Sequence, residues 1–245
     1  MSSYRLTIKN KSVESNRSPK SGCVEGDCLN GYGKYVNSER ATYQGQFKDG
    51  SPNGEGSLNL PDGSYYKGQW KNGQRHGEGL YVFANGNRYT GEFKNGVMEG
   101  NGVFVSANGD RYEGGWLKGK FKGRGKLVFV DGGVYEGYFE NGRKTGEGTE
   151  VSSDSNKYTG QWKNNLFDGE GKLTRSDGTI YEGQWKMNKA HGHGTLTLPN
   201  GGVYQGGYKD GEFHGYGKMI SPSGKIEYAG EWSNGKKLTT KTRTI

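Results

Sequence analysis

His191 and His193 are two residues apart, which puts both imidazoles on one face of an extended strand, as in a transition-metal site. A closed site needs more ligands, and none lies nearby in sequence. Moreover, His76, His191 and His214 recur at one position of a repeating unit, so metal binding is not expected. Cys23 and Cys28 are the only cysteines. Reduced thiols are their expected state, with a disulfide closing the segment as the sharper alternative. Lys118, Lys120, Lys122, Arg124 and Lys126 alternate with other residues and form a candidate anion-binding ridge for a phosphate headgroup or an acidic partner. No serine or cysteine nucleophile context appears, and no Gly-x-x-x-x-Gly-Lys-Ser/Thr phosphate loop. The many Gly-x-Gly pairs lack the strand–helix context of a dinucleotide fingerprint. Neither a cofactor nor an enzymatic activity is expected.

These residues sit on a strict period. Tyr43, Tyr66, Tyr89, Tyr112, Tyr135, Tyr158, Tyr181 and Tyr204 are spaced by 23, and Tyr228 follows after 24. Such self-similarity marks a solenoid or array. With the tyrosine at offset zero, offset two is glycine from Gly45 to Gly230. Offset four is aromatic in every copy and holds all five tryptophans. Offsets eleven and thirteen are glycine, as in Gly77 with Gly79, and offset fifteen is apolar except at Glu150. A residue that recurs in every copy is scaffold, so function is to be sought where copies differ.

Two period-two runs, at offsets zero to five and eleven to seventeen, predict a β-hairpin per copy. Asn72-Gly73, Asn95-Gly96 and Asn141-Gly142 suit the tight reversal within a copy, and Asp62-Gly63 or Asn85-Gly86 the reversal between copies. Frequent glycine argues against helix. Parity places offsets zero, two and four, and eleven, thirteen and fifteen, on one inner face. Tyr66, Trp70, Tyr89, Phe93, Tyr112, Trp116, Tyr158, Trp162, Tyr181 and Trp185 are therefore the candidate partner-binding aromatic face. The outward face carries lysine at offset five and glutamate at offset twelve. These form a cross-strand ladder only if the register sets them opposite, and a solvated face otherwise.

The pattern Tyr-x-Gly-x-Trp-x-x-Gly-x-x-His-Gly-x-Gly resembles the MORN repeat (membrane occupation and recognition nexus). The resemblance covers residues 43–238 as eight full copies and a truncated ninth, behind a degenerate capping repeat at 22–42. It implies an all-β fold: an elongated single-layer twisted antiparallel sheet of stacked 23-residue hairpins. A choline-binding type of solenoid also uses aromatic hairpins, but its tryptophan pattern differs. Proteins of the resembled family include scaffolds, and the repeats also accompany phosphatidylinositol phosphate kinases, junctophilins and a histone methyltransferase.

Hydrophobic content of 29% with 47 glycines suits a thin sheet and not a globular core. No apolar run approaches a transmembrane helix, and no signal-peptide core is visible, so a cytoplasmic location is the expectation, peripheral to a membrane at most. The net charge of +8 is unevenly spread. Residues 1–21 carry five bases against Glu14, and residues 236–245 carry four bases and no acid. The array between them is neutral, which argues against a nucleic-acid partner. Segments 1–21 and 239–245 are expected to be flexible basic tails. The fourth copy, 112–134, is net +3, and the fifth, 135–157, is net −2, so mutual compensation is the plainer reading of the basic ridge. The expected function is a non-enzymatic scaffold that binds a protein or a second copy of itself. Peripheral association with anionic phospholipid, such as phosphoinositide, is the alternative, and carbohydrate stacking on the rings a weaker third.

Overall fold

The computed structural model describes residues 21–238. Apart from Ser21, the tails expected at 1–21 and 239–245 lie outside the described residues. The described residues contain no helix and form one antiparallel sheet of twenty strands, not closed into a barrel. They divide into two compact units, one ending at Gly123 and the other starting at Arg124. The first unit opens with a short hairpin, Gly22–Gly26 with Tyr32–Val36, and continues with the hairpins of copies one to three. The second holds the hairpins of copies five to eight and the strand Ile226–Ser233.

Copy two shows how the sequence makes a hairpin. Strand Tyr65–Lys71 pairs with Gln74–Val82, and Lys71 faces Gln74, leaving a two-residue loop. Asn72 and Gly73 take φ of 51° and 75°, the type I′ reversal that matches strand twist. The turns between copies differ from the expectation. At Asp62-Gly63 only the glycine has positive φ, at 86°. Asp62 instead accepts the Ser64 N–H at 2.8 Å, and Gly63 N–H reaches the Leu60 carbonyl at 3.0 Å. This is a type I turn closed by a left-handed glycine.

A bulge inside the hairpins of copies one to three and five to eight explains most of the repeated residues. In copy two Gly68 faces Gly79 and Trp70 faces Arg75, so Gln69 stands against three residues, His76, Gly77 and Glu78. The Tyr66 hydroxyl donates to the Gln69 carbonyl at 2.8 Å. The same bond recurs from Tyr43 to Gln46 and from Tyr181 to Gln184, at 2.9 and 2.8 Å. The Gln69 side-chain oxygen accepts the Glu78 N–H at 3.3 Å, and Gln46, Gln161 and Gln184 do likewise in their copies. Parity places offset eleven on the inner face, but the bulge overrides it. Gly77 has φ of 57°, which turns the direction of a Cβ toward the Gln69 side chain.

Candidate functional site

The ten rings expected to face a partner are covered by one another. Tyr66, Tyr89, Tyr112 and Tyr158 are at most 1% exposed, and Trp185, the most open of the ten, is 8%. Tyr66 meets Trp70 edge-on at 5.2 Å and Phe93 of the next copy at 5.2 Å, with interplanar angles of 87° and 84°. Trp70 Nε1 donates to the Gly56 carbonyl at 3.1 Å, and Trp162 to Gly148 at 3.1 Å. The glycine rows make the cradle: a Cβ at Gly79 would sit 2.5 Å from the Tyr66 ring. Burial raises the pKa of Tyr66, Tyr89, Tyr112, Tyr158 and Tyr181, with the Tyr112 hydroxyl pushed up to about 12. The row is closed to solvent, and a second row of side chains stands beside it.

Those side chains stand at offset nine, opposite the offset-four ring and on its face, a row the sequence pattern alone did not single out. The row reads Pro52, Arg75, Met98, Phe121, Lys144, Phe167, Ala190, Phe213 and Lys237. Phe121, Phe167 and Phe213, 46 residues apart, lie flat on Tyr112, Tyr158 and Tyr204 with centroids 3.7, 3.6 and 3.7 Å away. The Arg75 guanidinium lies 4.6 Å from the Tyr81 centroid and donates to the Gly96 carbonyl at 2.8 Å. Lys144 Nζ lies 4.7 Å from the Tyr135 centroid and pairs with Glu150. Pro52 and Met98 are buried. Ala190 alone brings almost no side chain to its ring. Phenylalanine at a 46-residue spacing was the signal that could have revealed this row.

Two cavities open along it, one in each unit. In the first, about 670 Å³ is bordered by Met98, Tyr81, Phe83 and Phe93, with Arg75, Lys94, Lys118 and Lys120 among its charged residues and Glu99 as the acid. In the second, about 490 Å³ is bordered by Ala190, Tyr181, Trp185, Tyr208 and Phe213, with Arg175 and Lys189 as its charged residues. The opposite face of the second unit carries shallower depressions lined by threonines and by Glu147, Glu170 and Glu182.

Lys118, Lys120 and Lys122 lie in the first unit, Arg124 and Lys126 in the second, and all five are exposed. Arg124 sits 5.9 Å from the Tyr138 centroid. Among the described residues no cluster of histidine, cysteine and carboxylate could hold a metal. His191 lies 4.0 Å from Asp210. Cys23 and Cys28 are joined by a disulfide, the sharper of the two readings and not the default. The lysine–glutamate ladder does not form: Lys71 faces Gln74, while Glu78 faces Glu92 of the next copy. The bulge and the two-residue loop put offsets five and twelve at different heights.

Among solved structures, the chain resembles the TCP10 domain of Danio rerio CPAP at 13% identity, covering 82% of this chain and 96% of that one with a TM-score of 0.39. The TCP10c domain of Drosophila melanogaster Sas-4 matches at 13% identity over 73% and 99%, with a TM-score of 0.36. Virginiamycin B lyase from Staphylococcus aureus matches at 13% over 84% and 72%, with a TM-score of 0.18. Similarity at this level transfers neither partner nor activity. No curated protein matches the sequence. The family model for the MORN repeat matches nine consecutive segments, 43–65, 66–88, 89–111, 112–134, 135–157, 158–180, 181–203, 204–226 and 228–237. With the tyrosine, glycine and offset-four aromatic rows now accounted for physically, the chain belongs to the MORN-repeat family.

Proposed function

We propose that the chain is a non-enzymatic scaffold that recognises a protein partner through the offset-nine row. One observation carries this reading. Within a repeat whose tyrosine, glycine and aromatic positions are filled by their own structural bonds, offset nine changes chemistry from copy to copy. It borders the two apolar cavities with cationic rims. A fixed frame bearing a varied, ring-backed row is suited to reading an extended segment of another chain.

The test is affinity capture from the native cell with the full chain and with variants that keep the frame. Val97→Glu and Ala190→Glu change the cavity side of the row; Lys67→Glu and Lys172→Glu change exposed residues of the opposite face. Loss of the same partner on the row changes alone supports the reading. Loss on the opposite-face changes alone contradicts it. Anionic phospholipid remains the alternative carried by the exposed Lys118, Lys120, Lys122, Arg124 and Lys126, and salt-sensitive liposome binding that fails on their neutralisation would replace the protein reading.

A further inference from the structure

In copies six and eight the offset-nine phenylalanine closes the gap between its own tyrosine and the next offset-four ring. Around Phe167 the gap is closed by stacking on Tyr158 at 3.6 Å and by edge contacts to Trp162 at 4.7 Å and Trp185 at 5.3 Å. Around Phe213 the same pattern holds, with Tyr204 at 3.7 Å, Tyr208 at 5.4 Å and Trp232 at 5.2 Å. The copy between these two has Ala190. Its counterparts of those three rings, Tyr181, Trp185 and Tyr208, all border the cavity of about 490 Å³. The space there has the walls of a phenyl site and no phenyl group.

The charge at its rim says what would enter it. The charged residues at the cavity are Arg175 and Lys189, both exposed, with no carboxylate lining it. An incoming segment is therefore favoured if it is acidic on either side of the ring.

We propose that the Ala190 cavity is a docking site for a phenylalanine side chain of a partner protein, flanked in that partner by acidic residues. The inserted ring takes the place that Phe167 and Phe213 occupy in the adjoining copies. The flanking carboxylates of the partner meet Arg175 and Lys189. This inference rests on the protein-binding reading and names the partner chemistry for one point of the row.

The test uses the full chain and a fluorescein-labelled peptide, Glu-Asp-Gly-Phe-Gly-Asp-Glu, followed by anisotropy. Saturable binding is expected, weakened about tenfold or more by replacing the peptide phenylalanine with alanine, by neutralising its acids, or by Ala190→Phe in the chain. Ala190→Phe supplies the missing ring and is expected to melt at or above the wild type. Should it fail to fold, the Trp185 indole N–H resonance of the wild-type chain gives the second readout, and it must shift on peptide addition. Absence of saturable binding overturns the proposal, as does equal binding by a folded Ala190→Phe chain. A dimer that Ala190→Phe dissociates would make a second copy the occupant and would also overturn it. A native partner captured equally by wild type and Ala190→Phe, but lost on Val97→Glu, overturns this site and leaves the wider protein-binding reading standing.

Discussion

Lys144 and Glu150 replace two apolar residues of the repeat with a charge pair inside the ring face. They stand at offsets nine and fifteen, where copy six has Phe167 and Leu173. The Lys144 side chain is only 12% exposed, and its ammonium lies 4.7 Å from the Tyr135 centroid and 4.8 Å from that of Trp162. The glutamate that broke the apolar pattern in the sequence is thus explained by its partner. Removing one member alone strands the other charge, so Lys144→Ala is expected to cost about 1–3 kcal/mol, below the value for a fully buried pair because Glu150 remains 27% exposed. Lys144→Phe together with Glu150→Leu restores the copy-six pattern and is expected to match or exceed wild-type stability. Denaturant midpoints of the single and double variants measure this. A double variant no better than Lys144→Ala would contradict it.

The tyrosine hydroxyls are structural. Tyr135 donates to the Tyr138 carbonyl at 3.0 Å, and its ring is fully buried. Tyr135→Phe keeps the ring and strands the carbonyl at the bulge. The expected loss is about 1–2 kcal/mol, read from thermal unfolding.

Much of this was legible in the sequence. The period, the hairpins, the Asn-Gly loops and the ring face follow from local residue chemistry and parity, and they stand in the structure. What was not legible arises at the bulge. Three residues such as His76, Gly77 and Glu78 facing Gln69 break the period-two rule, so offset eleven left the ring face and the charge ladder lost its register. The offset-nine row was hidden because its members share a place and not a residue type: Arg75, Met98 and Ala190 look unrelated until the backbone sets each beside a tyrosine. That the ten rings are closed over depended on packing between copies, which parity does not report.

Glycine at offset thirteen makes room for the ring. A Cβ at Gly194 would lie 2.5 Å from the Tyr181 hydroxyl, with the Gly183 backbone directly across the pair. Gly194→Ala is expected to destabilise the chain by about 1–3 kcal/mol or more through overpacking. Hydrogen exchange should show the loss concentrated in the strands of that copy, as expected where each repeat depends on its neighbours.

The tyrosine row also sets the alkaline limit. Desolvation raises the folded-state pKa of these hydroxyls, to about 12 for Tyr112 and Tyr204, against about 10 in an unfolded chain. Their contribution is whole below pH about 10 and is lost as pH rises through the raised values. Tyrosinate absorbance from Tyr112 and Tyr204 should therefore appear only with unfolding. A single step near pH 10 with the fold intact would contradict the burial.

The central claim is that recognition lies on the offset-nine side of the sheet. Lysine acetylation footprinting, with and without the captured partner, reads this directly. Lys94 and Lys120 border one cavity and Lys189 the other, whereas Lys67 and Lys172 lie on the opposite face. The account predicts that the partner protects at least one of the cavity-side lysines and leaves Lys67 and Lys172 as reactive as before. Protection of Lys67 and Lys172 with the cavity-side lysines unchanged would contradict it.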